Sequence, residues 1–131
     1  MVVALAPTAL TGADMRVLAI NAGSATLKFG VFVSDSTVSV IEPAIDHPAV
    51  DAAAFEKIER QLRRAGVTSL DGIGHRVAHG GPLLSDAALV DEQVEHEIGQ
   101  AAVLAPQHNP VALAGIRLAR ERWPGVRHVA V

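Results

Sequence analysis

Cysteine is absent from the sequence, and aromatic residues are scarce. The 131 residues include no Tyr, one Trp and three Phe, although 50% of the residues are hydrophobic. Without a thiol the chain has no disulfides, no thiolate zinc site and no cysteine nucleophile. With so few rings the core must be built from small and β-branched side chains, and Val favours strands whereas Ala favours helices. The composition therefore indicates a globular α/β domain rather than a disordered chain.

Strong charge of one sign and long apolar runs are also missing. The formal net charge is −3 and no basic block is present, which argues against nucleic acid or a membrane surface as the partner. No stretch reaches the length of about 18 apolar residues that a transmembrane helix needs. Residues 1–14 lack Lys and Arg and are interrupted by Pro7. We interpret them as a loose N-terminal extension rather than a signal peptide, with Met15 as a candidate start, and expect a cytoplasmic protein.

The length allows one domain, because single domains run to roughly 100–200 residues. Apolar and alternating patterns predict strands over 15–21, 26–33, 37–41, 72–78 and 127–131, and helical spacing predicts helices over 51–65, 91–104 and 110–123. Short turns require an antiparallel meander of the first three strands, and residues 42–50 are predicted as loop. The helix before the fourth strand favours parallel pairing of that strand. We predict a mixed sheet flanked by helices, with Asn109 capping the last helix.

The turn between the first two strands, residues 21–28 (NAGSATLK), is the first candidate site. Gly23 lets a ligand approach the backbone closely, and successive amides in such a turn can converge on an anion. An amide oxygen suited to a hard cation, two hydroxyls and one positive charge accompany it, from Asn21, Ser24, Thr26 and Lys28. The pattern suits a phosphate with Mg²⁺, and an ordinary hairpin turn with an exposed lysine accounts for it equally well.

The second candidate site is the segment 72–81 (GIGHRVAHGG). Arg76 falls inside a predicted apolar strand, where an unpaired charge is costly. Its guanidinium is a natural bidentate partner of a carboxylate or phosphate, with a structural Asp or Glu as the alternative. His75 and His79 lie too far apart along a strand to form a metal pair.

The third candidate is the segment 104–110 (LAPQHNP), which is predicted as a turn between two helices. His108 can reach a ligand from this turn. The alternative is a solvated or capping histidine.

Together these segments resemble the acetokinase family, which comprises acetate kinase and its propionate and butyrate relatives. MRVLAINAGSATLK is similar to the family's opening strand and first phosphate loop, and IGHRVAHGG to its substrate-arginine strand. LAPQHNP, with the helix after it and PGVRHVAV, is similar to the segment before its catalytic aspartate. The resemblance covers residues 15–131 and is weakest over 34–70. It implies a partial N-terminal domain of ribonuclease-H-like fold, from the actin-like ATPase superfamily.

The resemblance also implies a reaction and a set of residue roles. Family members transfer a phosphoryl group from ATP to acetate or another short-chain carboxylate with Mg²⁺ or Mn²⁺, giving an acyl phosphate and ADP, and they form homodimers. The implied roles are metal binding for Asn21, ATP and phosphate binding for Ser24, Thr26 and Lys28, and substrate binding for Arg76, Ala78 and His108.

Two departures from the family pattern bear on function. Ala78 stands where many acetate kinases have valine, and the smaller side chain favours propionate. The family's catalytic aspartate would follow the strand that begins at Arg127, beyond Val131. We therefore expect an N-terminal fragment of an acetate kinase with little or no activity of its own. The alternatives are a propionate or butyrate kinase fragment and a non-catalytic phosphate- or nucleotide-binding module.

Overall fold

The structure is a computed structural model. It describes residues 15–23, 26–33, 39–41, 45–46, 50–82, 84 and 86–131. The predicted extension 1–14, the phosphate-loop residue Ser24 and the first two residues of the predicted strand 37–41 lie outside those ranges. No helix in the described ranges is long and apolar enough to cross a membrane.

The first three strands form the antiparallel meander that the short turns predict. Strand β1 (Arg16–Ala22) pairs with β2 (Thr26–Val33) along its whole length, and β2 pairs with β3 (Ser39–Ile41). A two-residue strand β4 (Ile45–Asp46) also pairs with β2. The loop predicted over 42–50 therefore contains a short strand, which two residues are too few to reveal by alternation.

A helical crossover then returns the chain to β1. Helix α1 (Ala52–Arg64) leads to β5 (Gly72–His75), which is parallel to β1 as the crossover predicts. The last strand, β7 (Arg127–Ala130), is parallel to β5, and the short β6 (Ala88–Leu89) pairs antiparallel at the edge of β7. The described strands form one mixed sheet in the order β3-β2-β1-β5-β7-β6.

Two more helices separate β6 from β7, namely α2 (Glu92–Gln100) and α3 (Asn109–Arg122). Side chains cap α1 and α2, since Asp51 accepts from the Ala54 amide at 3.0 Å and Asp91 from the Val94 amide at 2.8 Å. A 3₁₀ turn over Ala101–Val103 ends the second helical stretch earlier than predicted. The prediction that Asn109 caps α3 is wrong, because Asn109 is the first helical residue and its side chain bonds elsewhere.

Alternate residues of the strands define two faces of the sheet. The helix-covered face presents Leu18, Ile20, Phe29 and Ile73, all almost fully buried against α1 and α3. A second cluster packs α2 and α3 beside β7, through Val94, Ile98, Leu113, Ile116 and Ala130. The opposite face carries Asn21, Lys28, Phe32, Gly74 and Arg76, as the strand alternation requires.

These findings confirm the α/β fold with a mixed sheet and flanking helices. Strand β5 is shorter than the predicted 72–78 and ends at His75. Arg76 therefore follows the strand rather than lying within it, and its side chain is exposed. The expected penalty for a charge inside an apolar strand does not arise, because the guanidinium reaches solvent at the strand end.

Candidate functional site

Parallel pairing of β1 and β5 brings the first two sequence motifs together. Ile20 is in register with His75, and the Arg76 amide donates to the Ile20 carbonyl at 3.0 Å. Asn21 and Arg76 thus leave neighbouring strands at their carboxyl ends, the edge at which sheets of this kind place their ligands.

A cavity of about 390 Å³ opens at this edge of the sheet. It is lined by residues from β1, β2, the segment after β5 and the turn before α3. Five of the predicted site residues are among them, namely Asn21, Thr26, Arg76, Ala78 and His108. The structure therefore gathers parts of all three sequence motifs around one space.

The turn at one wall of the cavity is a tight hairpin. The Gly23 amide donates to the Thr26 carbonyl at 2.8 Å, directly beyond the last register pair of β1 and β2. A Cβ atom at Gly23 would lie 3.1 Å from that carbonyl oxygen, which is tighter than ordinary contacts. The lack of a side chain at Gly23 therefore allows the backbone of the turn to approach the Thr26 carbonyl this closely. The hairpin and a ligand-binding role are compatible, because Thr26 still lines the cavity.

His108 and Ala78 also line the cavity. His108 occupies the position before α3, where its side chain makes no capping hydrogen bond and is exposed. The capping alternative for His108 is therefore wrong, the solvated alternative agrees with its exposure, and His108 lines the same cavity as Ala78.

Lys28 lies on a neighbouring cavity rather than on the first one. It is opposite Asn21 in the β1–β2 register, on the same face of the sheet, and its side chain is exposed. A groove of about 530 Å³ follows this face, with Asn21, Lys28 and Arg76 in its lining together with Ala19, Gly30, Phe32, Gly74 and Val131. Asn21 and Arg76 line both the cavity and the groove, so the two spaces adjoin each other.

The charge at this edge of the sheet is positive. Among the described residues no Asp or Glu side chain lines either cavity, whereas Lys28 and Arg76 both contribute. Arg117 and Arg120 pair with Glu95, and Arg122 pairs with Glu59 at 2.9 Å. No described carboxylate pairs with Arg76, so the structural Asp or Glu weighed as its alternative partner is not found in the described part of the chain.

The described residues hold no complete metal site of their own. No group of three His, Asp or Glu side chains able to hold an ion occurs among them. Asn21 offers one neutral oxygen in the cavity lining. Such a donor fits Mg²⁺ that arrives with nucleotide phosphates, because Mg²⁺ keeps several waters and takes few protein ligands.

Behind Arg76, on the helix-covered face, lies a buried histidine pair. His75 Nε2 and His128 Nδ1 are 3.1 Å apart, and His128 Nε2 lies 3.0 Å from the Trp123 carbonyl. Because a carbonyl only accepts, His128 carries its proton on Nε2, and His75 donates to His128 Nδ1. Burial, with His128 adding to it, lowers the pKa of His75 to about 3, and burial also lowers the pKa of His128. Both rings are therefore neutral at pH 7.

Asn109 is a residue whose role the sequence motif does not reveal. Its amide bonds to the backbone of His79 and to the Ile98 carbonyl. An asparagine directly before a proline at a helix start is typical of a cap, so sequence alone favours the wrong role. Only the folded chain brings residue 79 next to residue 109.

Comparison with known proteins agrees with the motifs. The sequence profile of the acetokinase family matches residues 34–131. The chain is 34% identical over 135 residues to the propionate kinase of Yersinia enterocolitica, covering 88% of this chain and 33% of that protein. It is 37% identical over 142 residues to the acetate kinase of Geobacillus kaustophilus, covering 88% of this chain and 36% of that protein.

A solved structure matches the fold as well as the sequence. The acetate kinase of Entamoeba histolytica superposes with a TM-score of 0.70 at 28% identity, covering 88% of this chain and 35% of that one. The chain thus spans about a third of the length of the relatives it matches. The profile match includes residues 34–70, where the resemblance of the sequence motifs is weakest. The chain therefore belongs to the acetokinase family.

Proposed function

We propose that this chain forms the acceptor- and phosphate-binding part of an ATP-dependent kinase for acetate or another short-chain carboxylate. In this proposal residues 15–131 are part of the N-terminal domain of such an enzyme, which acts in the cytoplasm as a homodimer. The relatives named as acetate and propionate kinases support the reaction class.

One observation supports this assignment most directly. Arg76 is a cation without a described carboxylate partner, and it lines a cavity that also has Asn21, Thr26 and His108 in its wall and no acidic side chain. A guanidinium in such surroundings suits the planar, bidentate recognition of a carboxylate or a phosphate.

The chemistry that these residues serve is phosphoryl transfer. A carboxylate oxygen of the acceptor forms a bond to the γ-phosphorus of ATP while the bond from that phosphorus to the β–γ bridging oxygen breaks. The products are an acyl phosphate and ADP. Such a transfer needs mainly positioning and charge neutralisation, because its transition state spreads negative charge over the phosphoryl oxygens. Mg²⁺ bound with the nucleotide supplies further neutralisation.

We assign roles to the residues of this chain on that basis. Arg76 holds the acceptor carboxylate, and His108 donates to an oxygen of the acyl phosphate or phosphoryl group. Thr26 and Ser24 contact phosphate oxygens, Asn21 contacts the metal or its water, and Lys28 contacts the nucleotide from the neighbouring groove.

Ala78 favours an acceptor larger than acetate. Its methyl side chain lies in the cavity wall, where a valine would occupy more of the space. We therefore include propionate as an acceptor, and a transfer free energy of about 0.8 kcal/mol for its extra methylene predicts roughly fourfold tighter binding than acetate.

Ligand titrations of the 131-residue chain test the proposal. Amide NMR shifts of Ala78 and Gly23 are followed while propionate, acetate or MgATP is added to the wild type, to Arg76→Gln and to Arg64→Gln. Arg64 is an exposed arginine at the end of α1 that does not line the cavity, and it serves as the matched control. Loss of a charge-assisted bidentate contact costs about 3 kcal/mol, so Arg76→Gln should weaken carboxylate binding by roughly 100-fold, and Arg64→Gln should leave it unchanged.

Two outcomes would contradict the proposal. If Arg76→Gln and Arg64→Gln bind carboxylate equally well, Arg76 is not the acceptor site. If the wild type binds MgATP and no carboxylate, the chain is a nucleotide-binding module instead.

A coupled assay of ADP release tests the predicted lack of activity. With propionate and MgATP we expect turnover far below the typical enzyme range of about 1–10³ s⁻¹. Turnover within that range would show that the residues of this chain suffice for catalysis.

A further inference from the structure

Asn109 is a fully buried amide at the start of α3. Its exposure is 0%, and the only other buried polar side chains among the described residues are His75 and His128. Its Oδ1 accepts from the His79 amide at 3.1 Å, and its Nδ2 donates to the His79 carbonyl at 2.7 Å and to the Ile98 carbonyl at 3.0 Å. The side chain therefore joins α3, the end of α2 and the segment that follows β5.

The chemistry of these contacts requires an amide of this length. The Asn109 side chain accepts from the His79 amide and donates to the His79 carbonyl, as the backbone of a neighbouring strand would. Its second N–H is used on Ile98. Ser offers a single short hydroxyl, and an ionised Asp offers two acceptors toward two carbonyl oxygens. A side chain that cannot make these hydrogen bonds would leave the His79 amide and the His79 and Ile98 carbonyls without this partner, which lowers stability.

The contacts fix the segment that carries the proposed acceptor residues. At its start, the Arg76 amide donates to Ile20 at 3.0 Å and the Val77 amide to Val131 at 2.9 Å. At its end, His79 is held by Asn109. Ala78 lies between these fixed points, and His108 directly precedes Asn109 in the chain. Asn109 thus ties the segment that carries Ala78 to the start of α3, where His108 lies.

We propose that Asn109 is a positioning residue, which holds the segment Arg76–His79 against the start of α3 so that the acceptor carboxylate meets Arg76, Ala78 and His108 in a fixed geometry. The inference rests on the proposed function of the cavity. The hydrogen bonds of the Asn109 side chain among the described residues go to His79 and Ile98 and not to Gly23 or Thr26 of the hairpin, so nucleotide binding should not depend on it.

The experiment compares Asn109→Ser with Ile58→Val in the 131-residue chain. Ile58 is fully buried on α1 and does not line the cavity, so its substitution lowers stability without touching the acceptor site. Two quantities are measured for each folded protein, namely the exchange rate of the His79 amide relative to the β1 amides, and the dissociation constants for propionate and MgATP.

We expect Asn109→Ser to raise the relative exchange rate of the His79 amide at least tenfold and to weaken propionate binding at least fivefold. MgATP binding should change less than twofold, and Ile58→Val should change none of these ratios. Equal losses for propionate and MgATP, or a propionate loss no larger than that of Ile58→Val, would overturn the proposal.

Two further results separate this inference from the proposed function. If the wild type binds no propionate, the proposed function fails, and an unchanged exchange ratio at His79 would then also reject the positioning role. If Asn109→Ser does not fold, Asn109→Asp replaces it. Its carboxylic acid form keeps an acceptor and one donor, so protection of the His79 amide should recover as the pH falls, and a variant without such recovery contradicts the role.

Discussion

The two faces of the central sheet use alternate residues of the same strands and differ in nearly every other respect. On the helix-covered face, Ile20 and Phe29 lie opposite each other and are 3% and 4% exposed. One residue further along each register, Asn21 and Lys28 lie opposite each other on the other face, at the edge of the candidate site. Hydrophobic packing fixes the register through the first pair. The second pair is thereby held in place without contributing to the core.

The same division separates two neighbouring residues of the chain. His75 is 2% exposed, carries no charge and bonds to His128, whereas Arg76 is exposed and charged. A buried imidazole is tolerated because it is neutral and hydrogen-bonded. The guanidinium has no such option, since it is always protonated, and so it is found where the strand ends and solvent or a ligand can reach it.

The largest expected contrast comes from removing one phenyl ring on each side of the sheet. Phe55 of α1 is 0% exposed and contacts Trp123, with ring centroids 6.3 Å apart, whereas Phe32 on the opposite face is 51% exposed. Phe55→Ala should lower the free energy of unfolding by about 3–5 kcal/mol. Phe32→Ala should lower it by about 1 kcal/mol or less. Urea denaturation followed by circular dichroism measures both, and similar losses would contradict the assignment of the faces.

The next largest effect is a dependence of stability on pH through His75. Burial penalises the charged form and lowers the pKa of His75 to about 3 in the folded protein, from the usual 6.5 of a histidine. The unfolded chain therefore binds a proton between these values and the folded chain does not. The free energy of unfolding should therefore fall by up to about 1.4 kcal/mol for each pH unit between pH 6.5 and the folded pKa of about 3, with His128 acting in the same direction.

Two histidine variants isolate that effect. His75→Gln removes the titrating imidazole. The slope of the free energy of unfolding against pH should then be smaller by about 1 kcal/mol per pH unit between pH 6 and pH 4.5. His96→Gln removes an exposed imidazole of α2 and should leave the slope as in the wild type. Equal slopes in all three proteins would show that the buried pair takes up protons in the folded state.

Much of the fold follows from the sequence, because its signals are local. The meander depends on short turns and the parallel β5 on a helical crossover, and the sequence indicates both. Strands β4 and β6 were not predictable, since two residues carry no alternation and their pairing depends on β2 and β7. The end of β5 at His75 also depends on its neighbours, because the apolar pattern continues through Val77 while the register pairs stop.

The candidate site was predictable in its residue types and only partly in its geometry. The motifs single out Asn21, Thr26, Arg76 and His108, and the parallel pairing that joins them could be inferred from the crossover. The groove at Lys28 and the hydrogen bonds of Asn109 could not be inferred, because the first depends on the shape of the sheet face and the second on the folded chain bringing His79 beside Asn109. An asparagine that caps a helix and one that holds a distant segment by hydrogen bonds cannot be distinguished in the sequence.

The smallest expected effect concerns two glycines that differ in backbone conformation. Gly74 lies on the opposite face in the middle of β5, and Gly66 ends α1 with a φ of +78°. A Cβ atom would meet nothing within 4 Å at either position. Gly74→Ala should therefore raise the free energy of unfolding by about 0.4–1 kcal/mol, through the reduced freedom of the unfolded chain. Gly66→Ala should lower it by about 1 kcal/mol, because an L-residue disfavours positive φ. Thermal unfolding of both variants measures this difference. A loss of stability in Gly74→Ala would mean that a further segment covers the opposite face, and the contrast between the two faces would then hold only for the described residues.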